Sequence, residues 1–308
     1  MRDEVFIGLT YGDPTSIGPE ILLKTLKNWK FKFKPLIIGN KRILGKKNPF
    51  IPGRPNKNSG LHAYKCLKEA INLINSNKKI VALVTGPVSK EVINQSRVGF
   101  IGQTDEIAKL CNINPKSVIM LFIASDLRVA LFTRHIPLKL VPSKIKQNDL
   151  KKYILLLNKE YKKWFHLKLK LKLKKPKIAV LGLNPHAGEG GIFGDEESKI
   201  IEPVVKKLRA KGLKIFGPLS PDATLAKAGQ DYLLKKKQKY DVYVSFYHDQ
   251  ALPMFKAVAG MSGVNVTLGL PFLRVSVDHG TAFDISGKNK ASNEGLVSAI
   301  KLVEKLSL

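Results

Sequence analysis

Cysteine is nearly absent. Cys66 and Cys111 are the only two thiols in 308 residues. That excludes a disulfide framework and a thiolate metal site, and it suits a reducing cytoplasm. Long apolar runs are also missing. None reaches the ~18 residues of a membrane span. The opening MRDEVFIGLTYGDP lacks the charged-then-apolar pattern of a secretory signal and reads as a first strand. Neither the G-x-G-x-x-G dinucleotide fingerprint nor a P-loop occurs. Acidic residues are scarce, 24 against 53 basic ones, which leaves a formal charge of +29. A nucleic-acid partner does not follow. The surplus is lysine, 45 Lys against 8 Arg, and it is spread along the chain. Base readers and phosphate clamps favour Arg, and no aromatics interleave with the basic residues as single-strand binders need. The charge reads as solvated lysine faces, with steering of a phosphorylated substrate as a by-product.

What is present is a globular α/β chain. Apolar residues make up 44%, enough for a large core and two domains. Strand-like runs fall at 5–10, 35–40, 80–85, 117–124, 128–133, 178–183, 214–219, 241–247 and 264–270. Helical patterns lie between most of them. Pro19 and Glu20 open one. Ser59 is a candidate cap for the helix carrying Leu61, Tyr64, Leu67, Ile71 and Ile74, and Thr104 for the next. Longer helices are expected over 147–165 and 196–211. Alternating strands and helices predict a mostly parallel sheet with helices on both faces. The stretch 166–177 alternates Leu and Lys and is assigned no function; His62 and His166 read as structural and solvent-facing.

The richest segment is 247–287, with two histidines, Lys256, Arg274 and three aspartates. One strand delivers His248 and Asp249 at its C-terminal end, where open α/β sheets bind ligands. His135 and His186 also follow strands and precede turns, the latter in a loop of four glycines. Three imidazoles with an open position suit a catalytic divalent metal. On residue chemistry alone they are as readily structural.

The motifs GDPTSIGPEI at 12–21, TGPVSK at 85–90, GQTDE at 102–106, RHIPL at 134–138, LNPHAGEGGIFGDEE at 183–197, YHDQALP at 247–253 and NVTLGLPFLRVSVDHGTAFDISG at 265–287 span nearly the whole chain. With them the sequence resembles the 4-hydroxythreonine-4-phosphate dehydrogenase family of pyridoxal phosphate (vitamin B6) biosynthesis. The resemblance implies a two-domain isocitrate/isopropylmalate dehydrogenase-like α/β/α architecture. Residues 1–100 with 270–308 would form the NAD-loop domain and 101–269 the metal, substrate and dimerisation domain, with the site in the cleft between them. It implies that His135, His186 and His248 bind one divalent ion per subunit (Zn, Mg or Co). Gln103, Thr104, Lys256, Asn265 and Arg274 would bind substrate. HGTAFDISGK at 279–288 would hold NAD or NADP through His279, Gly280, Thr281, Ala282 and Asp284. It also implies a cytoplasmic homodimer whose site is completed across the interface.

The implied reaction is oxidation of 4-phosphohydroxy-L-threonine with decarboxylation to 3-amino-2-oxopropyl phosphate. Asp249 is the candidate base or orienter of the metal ligand, and Lys256 and Arg274 neutralise phosphate or carboxylate. The family's Gly-His-Thr-Glu motif reads Gly102-Gln103-Thr104-Asp105 here. A neutral amide forgoes the charge assistance of an imidazolium, so Gln103→His is expected to raise catalytic efficiency. The alternatives are a dehydrogenase of a sugar-acid phosphate (4-phospho-threonate or 4-phospho-erythronate) and a metal-dependent hydrolase.

Overall fold

The structure is a computed structural model that describes residues 4–45, 48–166 and 175–307. Most of the Leu/Lys stretch at 166–177, and the side chain of His166, lie outside the described residues. Ten strands are described: β1 Phe6–Thr10, β2 Lys34–Ile37, β3 Ile80–Thr85, β4 Ile119–Ala124, β5 Leu127–Leu131, β6 Ile178–Leu181, β7 Ile215–Leu219, β8 Val242–Ser245, β9 Val264–Leu268 and β10 Leu273–Val277. The α-helices are α1 Gly18–Lys27, α2 Lys57–Ser76, α3 Lys90–Asn94, α4 Gln103–Leu110, α5 Val141–Lys144, α6 Gln147–Tyr161, α7 Glu202–Ala210, α8 Pro221–Leu233, α9 His248–Ala259 and α10 Glu294–Ser307. The architecture is α/β with mostly parallel strand pairing, as the alternating pattern predicts. It divides into two compact units, Met1–Val118 with Val264–Leu308, and Ile119–Gly263.

In the first unit the strand order is β2-β1-β3-β10-β9. Only the β9–β10 pair is antiparallel. β3 and β10 are almost wholly buried, which explains why IVALVT reads as a continuous apolar run. α2 buries Leu67, Ala70, Ile71 and Ile74, one stripe of the helix, in a cluster with Ile38, Leu83, Phe100 and Ile107. Each such Leu, Ile or Phe side chain contributes roughly 1.5–3 kcal/mol on full burial.

Two local signals differ from the sequence reading. The cap of α2 is Asn56, whose side chain accepts from the amides of Asn58 and Ser59; Ser59 closes the reciprocal half of the capping box. α4 begins at Gln103 after Gly102, so Thr104 is a buried second-position residue and not a cap. The unit also takes in 101–118 and 264–269, which the sequence reading gave to the central segment. α4 packs on the first unit's own α2, where Tyr64 Oη donates to Glu106 Oε1 at 2.9 Å.

The second unit has the order β4-β5-β8-β6-β7, with an antiparallel β4–β5 hairpin and parallel pairs beyond it. α8 and α9 lay Leu225, Ala228, Ala251, Leu252 and Phe255 on Phe122, Leu127, Val129 and Leu131. The helices expected over 147–165 and 196–211 each contain a π-helical turn, at Lys162–His166 and Glu197–Ile201.

Candidate active site

Parallel strands emit their loops from one edge, and in the second unit β5, β8 and β6 are adjacent in that order. The chain leaves β5 and β8 together. Phe132 N donates to Ser245 O at 2.8 Å and Thr133 N to Phe246 O at 3.1 Å. Gln250 ties the third strand in: its Nε2 donates to Gly182 O at 2.7 Å, and its Oε1 accepts from Phe246 N at 2.8 Å. His135 and His248 therefore face each other, with ring centroids 5.5 Å apart and planes at 43°. His248 Nδ1 lies 2.6 Å from Asp249 Oδ1. That carboxylate favours the Nδ1–H tautomer and leaves the Nε2 lone pair free to donate to a Lewis acid. Lys256 sits two turns further along α9, exposed.

His186 stands apart from this pair. It neighbours the Phe193 ring at 6.3 Å; the hydrogen bond from Ser220, with His186 a lesser contributor, holds the Asp222 carboxyl below the usual carboxylate range. Among the described residues no three His, Cys, Asp or Glu side chains converge as a metal group. Of the three histidines, the described geometry pairs His135 with His248. The loop that carries His186 is left-handed: His186, Ala187 and Glu189 have φ of 52°, 55° and 39°, with Gly188 and Gly190 between and after them. Glu197, 4% exposed, holds it from below. Its Oε1 accepts from Leu183 N (2.6 Å) and Asn184 N (2.8 Å), and its Oε2 from Asn184 Nδ2 (2.9 Å). Nothing in the sequence marked Glu197 except its place after a strained glycine loop.

The first unit holds a separate polar cluster. Arg274 on β10 is 2% exposed, and burial alone pushes its pKa down to about 9. Its Nη1 donates to Thr267 Oγ1 at 3.1 Å, and its Nη2 to Thr85 Oγ1 at 2.7 Å and Gln103 Oε1 at 2.8 Å. All three acceptors are neutral, and its buried Nε has no partner. The strand register explains the grouping. Arg274 pairs with Thr267, Ser276 with Asn265 and with Thr85, so these five side chains share one face of β3, β10 and β9. Asn265 Oδ1 is likewise buried without a partner. The opposite face is apolar, and α10 packs against it. Asn265, Gln103 and Arg274 were candidates from sequence; Thr85, Thr267 and Ser276 were not. The polar–apolar alternation of VNVTL and LRVSV was their signal.

Gln103, the first residue of α4, closes this cluster. Its Nε2 donates to Gly86 O at 2.9 Å while its Oε1 faces Arg274. Gly86 is required there: a Cβ on it would stand 2.4 Å from the Tyr11 carbonyl carbon. A neutral amide both donates and accepts, and here the two roles go to Gly86 and Arg274.

The loop 279–288 lies in the same unit and meets the N-terminal motif, with Ile17 N donating to Thr281 O at 3.1 Å. Ala282 adopts φ 41° and Gly287 φ 75°. His279 Nε2 and Ser286 Oγ are buried without partners, and a Cβ on Gly280 would meet nothing within 4 Å. Orphaned polar atoms beside open backbone fit a nucleotide that supplies the missing partners. Asp284 is exposed. No helix among the described residues is long and apolar enough to cross a membrane.

Comparison with known proteins agrees. The chain is 36% identical over 330 residues to the 4-hydroxythreonine-4-phosphate dehydrogenase of Sulfurihydrogenibium sp., covering 97% of each. It is 33% identical over 351 residues to a putative D-threonate 4-phosphate dehydrogenase of Bradyrhizobium diazoefficiens, covering 98% of this chain and 96% of that one. A solved 4-hydroxythreonine-4-phosphate dehydrogenase from Klebsiella pneumoniae superposes with a TM-score of 0.81 at 28% identity, over 99% of this chain and 98% of the other. A beta-decarboxylating dehydrogenase from Thermococcus kodakarensis shares the fold alone, with a TM-score of 0.56 at 14% identity over 99% of this chain and 84% of the other. Residues 20–303 match the family model described as pyridoxal phosphate biosynthetic protein PdxA. The chain is a dehydrogenase that belongs to the PdxA family.

Proposed function

We propose that this dehydrogenase oxidises 4-phosphohydroxy-L-threonine with NAD and releases 3-amino-2-oxopropyl phosphate, as a cytoplasmic step of pyridoxal phosphate biosynthesis. The observation that carries the reading is Arg274, a buried cation whose described hydrogen-bond partners are all neutral. A buried charge without a counter-charge is costly, and an anionic substrate offsets that cost. When bound, the nicotinamide accepts the hydride and a divalent ion, with zinc the first candidate, acidifies the substrate hydroxyl. His135 and His248 would hold that ion. Asp249 keeps His248 in the tautomer that presents Nε2, and the same carboxylate is the nearest candidate to take a proton from the substrate. Lys256 and Arg274 neutralise phosphate and carboxylate; Gln103, Thr104 and Asn265 orient them. His279, Gly280, Thr281, Ala282 and Asp284 would line the nucleotide. Because His186 stands away from the other two histidines, the third donor would come from a second copy of the chain, which makes the working form a homodimer.

The test is absorbance of the reduced nicotinamide on adding 4-phosphohydroxy-L-threonine, with and without chelator. Turnover that the chelator abolishes is expected. D-Threonate 4-phosphate is the second substrate arm, since one relative carries that name. A higher kcat/KM for it than for the amino acid would replace the first reading.

A further inference from the structure

We propose that Gln103 is the positioning residue of the oxyanion site in the first unit, holding Arg274 with a neutral acceptor so that its charge stays available to the substrate's phosphoryl group. This rests on the substrate reading above and deepens it. The geometry leaves the amide one orientation. Turned over, its NH2 would face the Arg274 donors and its carbonyl would face Gly86 O. Gln103 is thus anchored at one end to backbone and at the other to the cation. The remaining acceptors, Thr85 Oγ1 and Thr267 Oγ1, are also uncharged. No carboxylate bonds to Arg274 among the described residues, and its Nε stays unpartnered. The family's histidine can take the acceptor role only while its ring is neutral, whereas an amide keeps it in every ionisation state.

Gln103 also opens α4, whose N-terminus has no side-chain cap. The positive end of the helix and the Arg274 charge therefore act on the same spot. The first turn of α4 already carries Asp105 and Glu106, so a carboxylate at position 103 would act chiefly on Arg274, satisfying its charge internally. It would keep the acceptor oxygens in place while removing the net charge that draws an anion.

That contrast makes Gln103→Glu the decisive variant. Calorimetry with inorganic phosphate, and KM for the phosphorylated substrate, are measured on the full-length protein beside its Tm without ligand. A neutral-positioning role predicts about tenfold or greater loss of phosphate affinity, with a matching rise in KM and little change in kcat. It predicts at the same time a higher Tm, because the buried cation gains a charged partner. In Gln103→Glu a purely structural Gln103 would move affinity and Tm in the same direction, and that outcome in this variant overturns the proposal. So does a phosphate affinity within about twofold of wild type, a free-energy change too small for a charge removed at contact. Gln103→Met guards against a variant that does not fold; it removes the acceptor without adding charge, so the folded variant should lose phosphate affinity, and wild-type affinity in it would overturn the positioning role. Acetate is run in parallel with phosphate. Loss of acetate binding with phosphate binding intact would refute the phosphoryl assignment. Failure of the wild type to turn over 4-phosphohydroxy-L-threonine would sink the proposed reaction, yet the phosphate calorimetry would still decide the role of Gln103.

Discussion

Replacing Glu197 by Ala should loosen the left-handed loop at 186–190 and cost several kcal/mol. An L-residue in the left-handed region costs about 1–2 kcal/mol. Three non-glycine residues adopt it here, His186, Ala187 and Glu189, so the loop stores about 3–6 kcal/mol. Glu197 counters this with three hydrogen bonds to a charged acceptor, each worth about 1.5–3 kcal/mol. Truncation leaves the Leu183 and Asn184 amides unsatisfied. Both residues are only half-buried, so water recovers part of the loss. The expected destabilisation is about 2–4 kcal/mol for Glu197→Ala and about 1–2 kcal/mol for Glu197→Gln, which keeps one acceptor oxygen. Urea unfolding measures the first quantity, and hydrogen exchange of amides 183–194 reports whether the loop itself opens. Activity should fall with exchange protection, because His186 rides on this loop. Glu197→Ala with wild-type stability and unchanged protection at 183–194 would show that the loop is held by something other than this carboxylate, and the reasoning would fail.

Three further outcomes are expected. Asp249→Asn should weaken divalent-ion binding by about 10–100-fold through loss of the partner that orients His248, read by metal titration; unchanged affinity would remove Asp249 from that role. Burial lowers the pKa of His62, which the fold keeps neutral 2.7 Å from the Tyr11 hydroxyl; the unfolded chain takes up its proton near pH 6.5, so stability from this group is whole above that pH and declines as pH drops below it toward the folded pKa. Tm measured from pH 7.5 to 5 should therefore fall less steeply in His62→Gln than in wild type, and an identical slope would count against the assignment. Tyr153→Phe should stabilise by about 1 kcal/mol, since the buried hydroxyl has no hydrogen-bond partner; a loss of stability in urea would mean that the hydroxyl is satisfied after all.

Much of this protein was legible in the sequence. Apolar runs such as IVALVT are strands because burial on both faces leaves no polar alternative, and the three-or-four spacing in α2 specifies its buried stripe whatever packs on it. Those are local properties of the chain. The polar face was half legible: the alternation in VNVTL and LRVSV puts Asn265 with Thr267 and Arg274 with Ser276, as any strand must. What pairing register decided is that these four meet Thr85, about 190 residues away along the chain, and that Arg274 finds no carboxylate. The three histidines show the same limit. Each strand end was visible, but only strand order brings His135 against His248, and His186 on its left-handed turn does not complete a three-ligand group with them among the described residues. The amide of Gln103 read as a missing charge from its neighbours in sequence. Its two partners, Gly86 just past β3 and Arg274 on β10, lie far apart along the chain, so what it holds depends on contacts that no local pattern encodes.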